Sequence, residues 1–133
     1  MPPVAAVDAI ESYVSELPAL RARRLAHSEW GITVPGEELD GEPLDVGLRV
    51  ADGLLRAQAV ALHAAGDLDP WMLLWWNRQT RVVRLGCTRS RDVWVHADVP
   101  AAGLDERAVD RLLGLVVEAA LAVRGLRPRA SAG

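Results

Sequence analysis

The sequence contains no lysine, and all fifteen of its basic residues are arginine. Eighteen acidic residues outnumber them and give a formal net charge of −3. General binding to nucleic acid or to an acidic membrane needs a broad positive surface, so this charge balance argues against both classes of partner. Only a local basic patch is compatible with it.

Cysteine is nearly absent as well. The single Cys87 cannot form an internal disulfide, and no signal peptide opens the chain, so we expect a cytoplasmic protein. Long apolar runs are missing too, because the longest, residues 112–123, is interrupted by Glu118 and falls far short of the roughly 20 residues of a membrane span. The length of 133 residues predicts a single domain at 1–123, followed by a disordered basic tail at 124–133.

The first third of the chain predicts a helix, a strand and a loop. An apolar stripe at helical spacing indicates the helix, and its members are Val7, Ile10, Val14 and Leu17. Pro18 either kinks this helix or opens a second helical turn that carries Leu25. Residues 30–34 favour a strand, and the acidic stretch 37–43 favours a mobile loop whose one apolar anchor is Leu39.

Residues 44–63 are open to two interpretations. Asp52-Gly53 between two apolar runs is typical of a tight β-hairpin, because a type I′ turn needs positive φ at both central residues. A two-residue turn predicts three apolar pairs on one face: Val50 with Leu55, Leu48 with Ala57 and Val46 with Ala59. On the other face it places Arg49 across from Arg56, a repulsive pair unless a carboxylate or anion lies between them. The alternative is an alanine-rich helix.

Four of the five tryptophans lie within residues 71–100. Asp69 can cap a helix and Pro70 suits its first position, so a short helix is expected over residues 70–79. Trp71, Leu74 and Trp75 share one face of this helix, with Arg78 one turn further on. Packing in the core is the favoured role for these tryptophans, and stacking on a ligand is the alternative.

Two alternating runs after Thr80 predict a second hairpin. One face carries Val83, Leu85, Cys87, Val93, Val95 and Ala97, and the other carries Trp94, His96 and Asp98. Asp105 then caps a long final helix that is apolar nearly all round, so a second apolar face should meet another partner. A homodimer interface is therefore predicted at Leu112, Leu113, Val116, Val117 and Leu121.

These elements indicate an α+β fold in the order α-β-β-β-α-β-β-α. Antiparallel strands with helices before, between and after them predict a five-stranded antiparallel sheet with helices on one face.

Three stretches carry a family resemblance. They are Trp75-Trp-Asn-Arg-Gln-Thr-Arg, Val82-Val-Arg-Leu and Asp92-Val-Trp-Val-His-Ala-Asp-Val-Pro, followed by the leucine-rich helix. They resemble actinobacterial members of the YbjN family, specifically over residues 68–123 and only in pattern before them. The resemblance implies the type III secretion chaperone fold and a small, non-enzymatic, commonly dimeric regulator or chaperone-like protein. It implies no catalytic residue.

The residues favour a non-enzymatic interaction module. It would present a sheet face or helix groove to a protein client of unknown identity. The predicted partner-binding residues are Arg78, Arg81, Arg84, Trp94 and His96. An alternative is binding of nucleic acid or another anion on the same face. A second alternative is a small enzyme that uses His96 and Asp98. No cofactor is expected, and strand parity argues against a metal held jointly by Cys87 and His96.

Overall fold

The computed structural model describes residues 4–17 and 21–127. In this part of the chain the helices are α1 (Val4–Ser15), α2 (Pro70–Gln79) and α3 (Glu106–Arg124). The strands are β1 (Arg21–Ala26), β2 (Glu29–Val34), β3 (Leu44–Ala51), β4 (Leu54–Leu62), β5 (Val83–Cys87) and β6 (Val93–Pro100). They form one antiparallel sheet in the order β1-β2-β3-β4-β6-β5, with β1 and β5 at the edges. The predicted α+β class is confirmed, with six strands in place of five.

The additional strand is β1, where the sequence predicted a second helical turn carrying Leu25. Its backbone pairs with β2, from Arg21 opposite Thr33 to Arg24 opposite Trp30. Leu25 is 55% exposed and lies over Gly31. Helical spacing misled here because the pairing partner β2 supplies the hydrogen bonds that decide the conformation, and Pro18 stands between this segment and α1. The positions of Pro18 and Leu20 themselves lie outside the described residues.

The hairpin formed by β3 and β4 confirms the first interpretation of residues 44–63. Asp52 and Gly53 have φ of 53° and 75°, as a type I′ turn requires. The predicted register is confirmed, including Arg49 opposite Arg56. Carboxylates flank the two arginines, since Glu29 lies 3.4 Å from Arg49 and Asp98 lies 2.8 Å from Arg56. The repulsion between the arginines is thereby offset.

One face of the sheet forms the core. Inward side chains alternate along the strands, as Leu48 on β3, Leu55 on β4 and Val95 on β6 illustrate. The long helix α3 packs on β4 and β6, and α1 packs on α3. The Tyr13 hydroxyl of α1 donates to the Asp110 carboxylate of α3 at 2.7 Å, and burial together with this bond raises the pKa of Tyr13. The second apolar face of α3 therefore meets α1 of the same chain.

The C-terminal end of α3 corrects two predictions, the start of a disordered tail at residue 124 and an acidic loop with Leu39 as its one anchor. Arg124, assigned to the start of a disordered tail, is the last residue of α3 and its side chain is 7% exposed. Its guanidinium donates to the Asp40 carboxylate at 2.8 Å and to the Pro43 carbonyl at 2.7 Å. The acidic loop thus has a charged anchor besides Leu39. The sequence pattern could not reveal it, because the partners are some 80 residues apart. Residues 128–133 of the predicted tail lie outside the described residues.

Candidate protein-binding surface

Helix α2 begins and ends where the sequence predicted. The Asp69 carboxylate accepts a hydrogen bond from the backbone N–H of Trp71 at 3.0 Å, which satisfies one of the free N–H groups of the first turn. Pro70 occupies the first helical position, where no donor is needed. Thr80 follows the last turn in an extended conformation, with its N–H on the Trp76 carbonyl at 3.2 Å. These contacts cap both ends of a helix of ten residues.

Polar contacts fix α2 to the edge strand β5. The Asn77 carboxamide donates to the Leu85 carbonyl at 2.9 Å and accepts from the Leu85 N–H at 2.7 Å. The Thr80 hydroxyl donates to the Val83 carbonyl at 2.5 Å, and the Arg84 guanidinium donates to the same carbonyl at 2.9 Å. The Asn77 and Thr80 side chains occupy the position of a neighbouring strand along part of β5. The helix is therefore held in place at the sheet edge.

The outer side of α2 is apolar and exposed. Trp71 is 77% exposed, Leu74 59% and Trp75 62%. We name these three residues the α2 ridge. Leu73 and Trp76 on the opposite side are half-buried against the core. The prediction that Trp71 and Trp75 pack in the core is therefore wrong.

The error has a physical origin. Helical spacing shows that a face is apolar, but it does not show what covers that face. Residues 71–76 are all apolar, which is more apolar surface than the one side of a helix facing a sheet can bury. That unbroken run was the available signal of a second, outward-facing apolar side.

Charges of opposite sign flank the α2 ridge. Asp67 and Asp69 precede the helix and are exposed, and Arg78 and Arg81 lie at and just beyond its end and are also exposed. The structure thus brings two predicted partner-binding residues, Arg78 and Arg81, to one end of the ridge.

The other three predicted partner-binding residues lie on the sheet. Trp94 and His96 point away from the helices on β6, and Arg84 lies directly opposite His96 on β5. Together with Gln58 on β4 and Arg56 they define what we call the open sheet face, which no helix covers in the described part of the chain. The five residues are therefore divided between two surfaces. Whether either surface binds a partner stays a prediction.

The surroundings of Asp98 do not support the alternative in which His96 and Asp98 form a catalytic pair. Asp98 accepts two hydrogen bonds from the Arg56 guanidinium, at 2.8 and 3.0 Å. The hydrogen bonds from Arg56 lower the pKa of Asp98, and the charges of Arg56 and His96 add to this effect. The carboxylate is thus engaged by an arginine, and this ion pair accounts for its position without a reaction.

Strand parity separates Cys87 from His96. Cys87 lies opposite Val93 at the end of β5, whereas His96 lies opposite Arg84, so the two side chains belong to opposite sheet faces as predicted. Across residues 4–17 and 21–127, no group of three or more histidine, cysteine or acidic side chains is arranged to hold a metal ion. No helix within those ranges has the length and apolar character to cross a membrane.

The predicted dimer interface on α3 is only partly exposed. Leu112, Leu113 and Val116 are buried in the core of the same chain, with exposed fractions of 2%, 6% and 0%. Val117 is half-buried against that core, and Leu121 is half-buried. The first three are covered by the sheet and α1, so a second copy could not reach them in this conformation.

The fold is that of the type III secretion chaperones. A chain of the HopA1–SchA chaperone–effector complex is 13% identical, with a TM-score of 0.70 over 90% of this chain and 92% of that one. A chain of the ExsC–ExsE complex is 19% identical, with a TM-score of 0.70 over 98% of this chain and 100% of that one. A third similar structure is the Yersinia pestis type III secretion chaperone SycH in complex with a stable fragment of YscM2. It is 13% identical, with a TM-score of 0.62 over 88% of this chain and 98% of that one.

A family can also be assigned. The model of the YbjN family, described as a putative bacterial sensory transduction regulator, matches residues 52–124. The chain belongs to this family. The match begins in the turn between β3 and β4 and ends with the last residue of α3, so it contains all of α2 and confirms the resemblance seen in the sequence. A search among curated proteins finds no match.

Proposed function

We propose that this protein is a non-enzymatic, chaperone-like interaction module of one domain that forms a homodimer through the α2 ridge and binds a protein client. The observation that carries the proposal is the exposure of Trp71, Leu74 and Trp75 on a helix that Asn77 fixes to the sheet edge. An exposed apolar surface on a helix that is fixed in place is typical of an interface, because monomeric proteins rarely leave large contiguous apolar patches in water.

The area supports a second copy as the occupant. An aromatic side chain such as tryptophan buries about 150–250 Å². Trp71 and Trp75 are 77% and 62% exposed, so two-fold pairing would bury at most about 400–700 Å² of tryptophan surface from the two copies together. Specific interfaces bury about 1,200–2,000 Å² in total, so the tryptophans would form the apolar centre of such an interface.

The flanking charges also favour self-association. A two-fold axis perpendicular to α2 would make the two α2 helices antiparallel, with the start of one helix beside the end of the other. Asp67 and Asp69 of one copy would then face Arg78 and Arg81 of its partner. The acidic and basic ends thus complement each other across the axis, as a homodimer requires.

A homodimer of this kind would leave the open sheet face free. We place the client there, on the surface that contains Arg84, Trp94 and His96. The likeness to chaperones solved in complex with effector proteins supports a protein client, although at 13–19% identity that likeness concerns the fold. The client itself is to be identified by experiment.

Sedimentation velocity of the wild type and the double variant Trp71→Ala/Trp75→Ala tests the homodimer. The wild type should sediment as a dimer at micromolar concentration, and the double variant as a monomer that still unfolds in one cooperative transition. Leu25→Ala is the matched control, because Leu25 is 55% exposed but lies on the opposite sheet edge. A monomeric wild type, or a double variant that dimerises equally well, contradicts the proposal.

A further inference from the structure

The sheet opens into a fork between β3 and β4. The two strands are paired as far as Val46 opposite Ala59. Beyond this pair β3 continues along β2, and β4 continues along β6. Arg124 bridges the two arms, because its guanidinium donates to the Ala61 carbonyl on one side at 3.3 Å and to the Pro43 carbonyl on the other at 2.7 Å.

A cavity of about 820 Å³ lies at this fork. Its walls come from both arms and from Trp94 on β6, with Arg124 and Arg127 at the end of α3. Small-molecule sites usually measure about 300–1,000 Å³, so the cavity is large enough for a ligand with a ring system.

The arginines of this cavity are already neutralised. Arg124 pairs with Asp40 at 2.8 Å, and Arg127 pairs with Glu42 at 2.9 Å. The hydrogen bond from Arg127 lowers the pKa of Glu42. Neither guanidinium is left without a carboxylate, so these groups do not demand an anionic ligand.

Two further titratable side chains line the cavity. The Asp45 carboxylate accepts a hydrogen bond from the Thr33 hydroxyl at 2.6 Å. His63 lies with Nδ1 3.6 Å from the Asp92 carboxylate. The Thr33 hydroxyl is neutral and leaves the negative charge of Asp45 in place, so the charges around the cavity disfavour an anionic ligand.

The groups of the cavity wall that are free to form hydrogen bonds with a ligand are uncharged. The Trp94 Nε1–H is buried and has no hydrogen-bond partner in the part of the chain that the structure describes. The Gln58 side chain forms no hydrogen bond within that part either, although its carboxamide can both donate and accept. Gly47 lies opposite Gln58 and has no side chain to fill the space beside it.

We propose that this cavity binds a neutral purine base that is hydrogen-bonded by the Trp94 Nε1–H and by the Gln58 carboxamide. The Trp94 N–H can donate to a ring nitrogen of the base, and a glutamine carboxamide matches the adjacent acceptor and donor of adenine. The base can belong to a free nucleoside or to a single-stranded nucleic acid, since both present the same ring.

Calorimetric titration of the full chain with adenosine tests the proposal. Adenosine should bind saturably, and Gln58→Ala and Trp94→Phe should each weaken binding by about tenfold, the scale of one well-placed base contact. Gln79→Ala is the matched control, because Gln79 is an exposed residue of α2 that does not line the cavity. Thermal unfolding of each variant verifies that it is folded.

A parallel titration with a short oligoadenylate distinguishes the two sources of the base. Tighter binding with a steep dependence on salt assigns the base to a nucleic-acid strand, and equal affinity assigns it to a free nucleoside. The proposal is overturned if neither probe binds the folded wild type, or if Gln58→Ala binds as well as the wild type does.

Discussion

At the scale of single residues, Asn77 shows how one carboxamide can replace a strand. It bonds to both the N–H and the carbonyl of Leu85, the two groups that a further strand would otherwise pair with. Unpaired strand edges promote aggregation, and a side chain that covers them removes the template. The same two bonds determine where the α2 ridge lies, so edge protection and surface presentation depend on one residue.

Replacing Asn77 with alanine should therefore lower the free energy of unfolding by about 1–3 kcal/mol, because it leaves the N–H and carbonyl of Leu85 without a partner. Urea denaturation measures the change. Gln79→Ala is the control, because Gln79 is exposed in the last turn of the same helix and should change stability by less than about 0.5 kcal/mol. Equal losses in the two variants would show that Asn77 has no special role.

At the scale of elements, the prediction from sequence succeeded where a local cause dominates. Asp52-Gly53 determines a turn by backbone sterics, and the alternation of period two then fixes which side chains face the core. Both hairpins, their faces and the bounds of α2 followed from such local signals.

The failures concern elements whose environment depends on distant partners. The exposed Trp71 and Trp75 lie beyond the sheet edge, and nothing in their spacing tells an outer face from an inner one. The strand β1 follows from its pairing with β2, against a composition that also suits a helix. The residues of the candidate surfaces could be picked from the sequence. Their division between α2 and the open sheet face could be seen only in the structure.

Reversal of one charge beside the α2 ridge tests the antiparallel arrangement of two helices. Arg78→Glu should weaken the dimer about three- to thirtyfold, because two symmetric contacts would each lose about 0.3–1 kcal/mol. Adding Asp67→Arg in the same chain should restore much of the affinity, since the exchanged charges again face each other. Dissociation constants from sedimentation measure both effects at low salt. If the double variant is weaker than Arg78→Glu, the antiparallel arrangement is wrong.

At the scale of the whole molecule, α3 connects parts of the chain that are far apart in sequence. Its first turns meet α1 through Tyr13 and Asp110, its middle packs on the central strands, and its last residue bridges the fork between β3 and β4. Arg124 is consequently the point at which the long helix, the acidic loop and the sheet are joined.

Arg124→Met should lower the free energy of unfolding by about 2–3 kcal/mol at neutral pH. The loss for a fully buried ion pair is about 3–5 kcal/mol, and it is smaller here because Asp40 keeps contact with water.

Burial alone would raise the pKa of Asp40, but the Glu42 N–H and Arg124 outweigh it, so the pKa lies below its ordinary value of 3.8. A lowered carboxyl pKa stabilises the fold above the pKa of the unfolded chain, and this stabilisation is lost as the pH falls through the folded value. Arg124→Met should therefore lose less stability than the wild type when the pH falls below about 4, as urea denaturation at several pH values can measure. Arg111→Met, an exposed change on the same helix, should retain the stability and the pH dependence of the wild type, and the assignment fails if the two variants behave alike.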